Sequence, residues 1–217
     1  MRSKTKTPLS VNSILRIVIA AIMVLATATT AASQTYVKLN GAYALAGVVN
    51  PQVEFSLTNH STFQAEVVYS PWRSINNHPM HFGILQNEYR YYFKEHNRGI
   101  YLGANVAFKM FNMSKPELRD WRLTLQERYC KGSGVMAGVV VGYEHRFAKR
   151  WLVDIFVGFG YSHCWYNGYS MNHEIDMYPS RPEGEEPLLP DPYNISAQWM
   201  PTKAGVSIGL LINQPKE

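Results

Sequence analysis

The stretch GVMAGVVVGYEHRFAKRWLVDIFVGFGYSH, residues 134–163, reads as two long strands around one tight turn. Before the turn, Ala137, Val139, Val141, Tyr143 and Phe147 share one face, and Met136, Gly138, Gly142, Glu144 and Arg146 share the other. After Ala148, Lys149 and Arg150 the alternation resumes, with Trp151, Val153, Ile155, Val157, Phe159 and Tyr161 set against Leu152, Asp154, Gly158, Gly160 and Ser162. One face is apolar along its whole length and ends in aromatics, while the other carries charge and glycine. Strands of roughly 11–13 residues exceed the ordinary globular strand of about 5–6 and match what crosses a bilayer when tilted. The pattern predicts a piece of membrane barrel.

The same period appears in six further segments. Residues 36–47 set Val37, Leu39, Tyr43 and Leu45 against Lys38 and Asn40, and 52–58 set Val53, Phe55 and Leu57 against Glu54 and Ser56. Residues 62–72 oppose Phe63, Ala65, Val67 and Tyr69 to Gln64, Glu66 and Ser70, and 81–93 oppose Leu85, Tyr89, Tyr91 and Phe93 to Gln86, Glu88 and Arg90. Residues 99–111 set Ile100, Leu102, Val106, Phe108 and Met110 against Gly103, Asn105 and Lys109; residues 202–212 set Ala204, Val206, Ile208, Leu210 and Ile212 against Lys203, Gly205, Ser207 and Gly209. The expected fold is all-β, an eight-stranded antiparallel transmembrane β-barrel. Its turns at 59–61, 94–98 and 148–150 are short and its loops at 71–80, 112–133 and 164–201 are long, the alternation expected of outer-membrane barrels. Ser114 with Glu117 three residues on is a capping-box pattern, which predicts a short helix in the third surface loop. The proline-rich 164–201 segment is expected to be an irregular loop.

Residues 1–33 carry Arg2, Lys4, Lys6 and Arg16, an apolar run from Ile17 to Leu25 and the small residues Ala31-Ala32-Ser33, the layout of a cleavable signal peptide. Two domains follow from this: the signal, 1–33, and the barrel domain, 34–217. Without the signal the formal net charge falls from +5 to +1, so the basic balance belongs to export and gives no reason to expect a nucleic-acid partner. No apolar run in the remainder approaches a membrane helix, so a spanning chain would have to close a sheet.

The inward positions collect Lys38, Arg90, Lys109, Arg146 and Lys203 against Glu54, Glu66, Glu88, Glu144 and Asp154. An eight-stranded barrel is just wide enough for its side chains to fill it, and unpaired charge there is costly, so these ten residues are expected to pair and plug the lumen. Glu144 and Asp154 face each other across the tight turn, and Arg146 is expected between them. Gly142, opposite Phe156, is expected to leave room for that ring. Two aromatic girdles are expected on the outside: Tyr36, Phe63, Phe93, Tyr101, Phe147 and Trp151 at the turn end, and Tyr69, Trp72, Phe82, Phe111 and Tyr161 at the loop end.

Ser70-Pro71-Trp72, Glu88-Tyr89-Arg90-Tyr91, Gly142-Tyr143, Lys149-Arg150-Trp151-Leu152-Val153-Asp154 and Gly158-Phe159-Gly160-Tyr161 resemble a Bacteroidetes-type outer-membrane barrel family known only as a domain of unknown function and related in architecture to the OmpA-type eight-stranded barrels. The resemblance spans most of residues 36–212 and implies fold and location; it supplies no activity.

No cofactor or metal motif emerges. Ser162 and His163 point to opposite faces of one strand and cannot act as nucleophile and base, so no enzyme is expected. His78 and His81 have metal-ligand spacing but sit in a loop, and the acidic Glu174–Asp191 stretch lacks regular calcium-ligand spacing. The function expected is a monomeric, non-enzymatic barrel in the outer membrane, with lipid and other envelope proteins as partners, anchoring surface loops in a structural or adhesive role. A lipid-directed barrel enzyme and a small pore are the alternatives. Export also places Cys130 and Cys164 in an oxidising compartment, where one disulfide joining the third and fourth loops is expected.

Overall fold

In a computed structural model of the chain the described residues are 34–72, 78–119, 122–170 and 194–214. The expected signal, 1–33, and the acidic stretch 174–191 lie outside them. Eight antiparallel strands close into a barrel in chain order: β1 (Thr35–Asn40), β2 (Pro51–Ser56), β3 (Ser61–Ser70), β4 (Met80–Tyr92), β5 (Gly99–Arg119), β6 (Arg122–Arg146), β7 (Trp151–Ser170) and β8 (Asn194–Asn213), with β8 returning to β1. Closure leaves the barrel body without an unpaired edge. The alternation read in the sequence decides the two faces: Val139 is 62 % exposed and Val140 is fully buried. Leu102, Phe108, Val141, Ile155, Val157 and Ile208 join Val139 on the exposed outside. The register of the founding hairpin is also as expected, with Glu144 opposite Asp154 and Gly142 opposite Phe156. A Phe147–Trp151 backbone bond, 3.3 Å, closes its turn.

Four members of the expected girdles face inward instead. Tyr36 and Tyr101 are buried, and Phe82 and Phe111 line the interior cavity at the loop end. Each sits at an even spacing from an inward charge, Lys38, Arg90 or Lys109, and strand parity outweighs residue type. The interior is therefore mixed. Tyr92, Tyr101, Val140 and Phe156 form one buried apolar cluster, and Tyr36, Leu152 and Leu211 form another.

Secondary structure departs from expectation at the loop end. The chain does have a short helix, but in the first connection: α1 (Gly41–Leu45), where a longer first strand was expected. Asn40 caps it, its side-chain oxygen accepting from the Ala42 amide at 3.0 Å, and the alanine-rich GAYALA that follows favours helix. Gly47, at φ +66°, ends the turn, and Trp72 donates from Nε1 to the Ala46 carbonyl at 2.9 Å while its ring covers Gly47. Where a helix was expected after Ser114, β5 and β6 instead continue as a ladder through Arg119 opposite Arg122, with an irregularity between Ser114 and Pro116. Pairing with an adjacent, already zipped strand outcompetes a local capping pattern. Likewise 164–170 and 194–201, expected as irregular loop, extend β7 and β8.

That continuous ladder also separates the cysteines. Cys164 lies opposite Gly134 and Cys130 opposite Gly168. They stand four rungs apart, roughly 13 Å at about 3.3 Å per residue, beyond the reach of a disulfide. The expected fold-back through Lys131–Gly134 does not occur, because those residues are paired strand.

Candidate functional site: the buried charge cluster of the barrel

The interior is organised by Arg90 on β4, whose side chain is fully buried. Its Nη1 donates to Glu54 (3.1 Å), Glu144 (2.9 Å) and Asp154 (2.8 Å), and its Nε donates to Glu88 (2.7 Å). Lys38 reaches the same carboxylates from β1, pairing with Glu54, with Glu144 and, at 3.2 Å, with Asp154. Strands β1, β2, β4, β6 and β7 each contribute a charge because alternate positions of every strand point to one axis. Glu88 links this group to a second one. Its other oxygen accepts from Lys203 Nζ at 2.8 Å, and the same ammonium donates to Glu66 at 2.8 Å. The guanidinium of Arg90 also lies 4.5 Å from the Tyr101 ring centre.

Eight of the ten expected charges thus form one connected cluster: Lys38, Glu54, Glu66, Glu88, Arg90, Glu144, Asp154 and Lys203. The other two stand apart. Lys109 donates to Ser162 Oγ at 2.8 Å nearer the loop end. Arg146 does not sit between Glu144 and Asp154 as expected; its Nη2 donates to the His96 carbonyl (2.6 Å) and to Gln34 Oε1 (3.1 Å) at the turn end. The facing acids receive their cations from β1 and β4, across the barrel, rather than from their own hairpin.

Neutral groups complete the coordination, and these the sequence reading missed. Tyr92 donates its hydroxyl to Glu54 (2.9 Å), Tyr101 to Asp154 (3.0 Å) and Thr62 to Glu54 (2.5 Å). From the β4–β5 turn Asn97 folds inward at φ +57° and donates Nδ2 to Glu54 (2.9 Å) and Glu144 (3.0 Å). Asparagine tolerates that left-handed conformation better than most residues, and the Lys-Glu-His-Asn-Arg turn carried the signal in its Asn. Gly142 makes room for a ring, but for that of Tyr101: a Cβ at Gly142 would overlap the Cζ and hydroxyl edge of it.

Next to Asn97, the His96 ring donates from Nε2 to Gln34 Oε1 at 2.9 Å. Burial, and then the neighbouring Arg146 cation, hold the His96 pKa below its ordinary value of 6.5. Among the described residues the acids able to share a metal are Glu54, Glu144 and Asp154. Lys38 and Arg90 already serve as counter-ions to all three, so the set is chemically an ion-pair core. Ser162 is buried inside, while His163 packs edge-on against Trp165 with ring centres 4.6 Å apart, so the two do not meet. His81 accepts or donates at 3.1 Å with the Tyr69 hydroxyl.

Comparison with curated proteins and with solved structures returns no match to this chain. A protein-family model does match, over residues 17–212, and its range takes in every strand of the barrel up to Ile212. The chain belongs to the family described as protein of unknown function (DUF3575).

Proposed function

We propose that this protein is an outer-membrane barrel of OmpA-type architecture, exported by a cleavable signal, with a lumen closed by paired charges, and that its work is non-enzymatic: anchoring surface loops in a structural or adhesive role. The observation that carries the reading is the inverted distribution of polarity. Leu85, Val106, Phe108, Val139, Ile155 and Val157 lie exposed on the outside, while Glu54, Glu88, Arg90, Glu144 and Asp154 are buried within. So much contiguous apolar surface is an aggregation liability in water and a requirement in lipid.

Exposed aromatics frame that surface. Phe93, Phe147 and Trp151 lie at the turn end, and Tyr161, Trp165 and Trp199 toward the loop end. Trp151 and Tyr161 belong to one strand, ten residues apart, which at about 3.3 Å per residue and a tilt near 40° is roughly 25 Å along the barrel axis, the height of an outer-membrane apolar band. The multiply bonded Arg90, set among five strands, favours a closed lumen over a pore. Separated inner and outer membranes of the native host, probed for the chain, test the location; it is expected in the outer fraction, with heat-modifiable migration on gels. Recovery in the soluble fraction would overturn the reading, and steady ion conductance in planar bilayers would replace the anchor with a pore.

A further inference from the structure

Between the charge cluster and the loop end, the barrel holds an open cavity of about 440 Å³. That volume lies within the range of small-molecule sites. Its walls are of two kinds. Phe82 and Ile84 of β4, Phe111 and Met113 of β5, Met136 of β6 and Met200 of β8 are apolar; Ser196 and Gln198 of β8 are polar. Methionines make such a wall adaptable, since an unbranched thioether repacks around ligands of different outline.

At the inner end of this cavity stands Lys109. Its Nζ donates to Ser162 Oγ at 2.8 Å, and Ser162 Oγ in turn lies 3.4 Å from the thiol of Cys164, which also lines the cavity. Lys38 and Lys203 are each matched by two or more carboxylates, but among the described residues no carboxylate lies within ion-pairing distance of Lys109. A half-buried ammonium with one neutral partner and an apolar vestibule above it lacks an anion. A ligand carboxylate would supply a charge-assisted bond there, and its hydrocarbon tail would cover Phe82, Phe111 and Met113.

We propose that this cavity binds long-chain carboxylates of the fatty-acid class, with the carboxylate held by Lys109, whose ammonium Ser162 positions from behind, and the chain directed toward the loop end between the β4–β5 wall and Met200. The inference goes beyond the anchoring role and does not depend on which membrane holds the barrel.

The test uses the purified chain held in amphipol, with heat-modifiable migration as proof of folding, and two probes of equal length, dodecanoate and dodecanol. Calorimetric titration is expected to show dodecanoate binding at least tenfold more tightly than dodecanol. Lys109 lies outside the ion-pair cluster, so Lys109→Met is expected to fold and to bring the two probes within about twofold of each other, with Lys109→Arg restoring the preference. In a Cys130→Ser chain, saturating dodecanoate is expected to slow iodoacetamide labelling of Cys164 several-fold. Failure of the folded chain to bind dodecanoate, equal affinity for the two probes, a preference that survives Lys109→Met, or unchanged labelling of Cys164 at saturation would each overturn the proposal. Because none of these readouts concerns location, they stay separate from the outer-membrane assignment.

Discussion

Arg90 touches four carboxylates, and truncating it would leave Glu54, Glu88, Glu144 and Asp154 short of a cation in a buried setting. Arg90→Ala is therefore expected to lower unfolding stability by about 3–5 kcal/mol, the usual cost of orphaning buried charge. Arg146→Ala, which removes hydrogen bonds at the turn end but, among the described residues, no ion pair, is expected to lose only about 1 kcal/mol. Urea unfolding in lipid compares them, and equal losses would mean that the cluster is not what holds the interior together. Gly142→Val would push the Tyr101 ring off its seat and its hydroxyl away from Asp154; a loss of about 1–3 kcal/mol is expected, whereas the same substitution made in a Tyr101→Ala background is expected to add little to the loss that Tyr101→Ala causes by itself. An equal further loss in that background would count against this packing account. His96 gives the pH dependence. Its folded pKa is held below 6.5, so the unfolded chain takes up the proton more readily; its contribution is intact above 6.5 and is lost as pH falls through that value. His96→Gln is expected to flatten the melting temperature between about pH 7 and about pH 5, with Arg146, Glu95 and Glu54 as the charged neighbours that set the size of the effect. At this scale the sequence was partly legible. Parity placed the buried acids and Lys38, Arg90 and Lys203 on the inside, because a side chain's face follows from its position alone. It could not say which cation meets which acid, because partners such as Lys38 and Asp154 lie 116 positions apart and meet only through closure.

The strands β5 to β8 were legible in their bodies and illegible at their loop ends. Within 134–163 the alternation between an apolar and a polar face is unbroken; beyond it, outward Tyr129, Lys131 and Tyr169 make a polar-aromatic surface that resembles a loop by composition. Tyr129 and Tyr169 stack at 5.1 Å, and the Lys131 ammonium lies 5.4 Å and 4.9 Å from their ring centres. Such cross-strand contacts stabilise strand at positions where a capping pattern alone suggested helix. The ladder makes a sharp prediction: Cys130 faces Gly168, and directly opposed Cα atoms lie about 4.5–5.5 Å apart, inside the disulfide range. In a Cys164→Ser background, Gly168→Cys is expected to crosslink with Cys130 under mild oxidation, the oxidant taking up the two electrons, read as a mass loss of about two hydrogen atoms and a shift on non-reducing gels. Wild-type chain is expected to alkylate at both native thiols without reductant. A native Cys130–Cys164 bridge in the mass map would show the strands do not continue as described.

The whole molecule is uneven around its axis. β1, β2 and β3 have 6, 6 and 10 residues, whereas β5, β6, β7 and β8 have 21, 25, 20 and 20. The eight-stranded closure itself was legible from strand count and the alternation of short and long connections; this inequality was not, since it arises where paired strand replaces expected loop. With the interior crossed by Arg90 and its partners, reconstituted chain is expected to leave a planar bilayer electrically silent, and discrete conductance steps at modest voltage would contradict that. β1 reaches only as far as Ser207 on β8, and α1 folds over beside Val206, so the Asn194–Val206 length of β8 rises past its partner. A cylinder looks alike from every compass point, but one with a tall half and a low half has a bearing. Turning such a molecule about the barrel axis changes what it presents to its surroundings, much as turning a weathervane does. Neighbours meeting the tall flank find stacked tyrosines and a lysine; those meeting the low flank find a capped helix and a tryptophan.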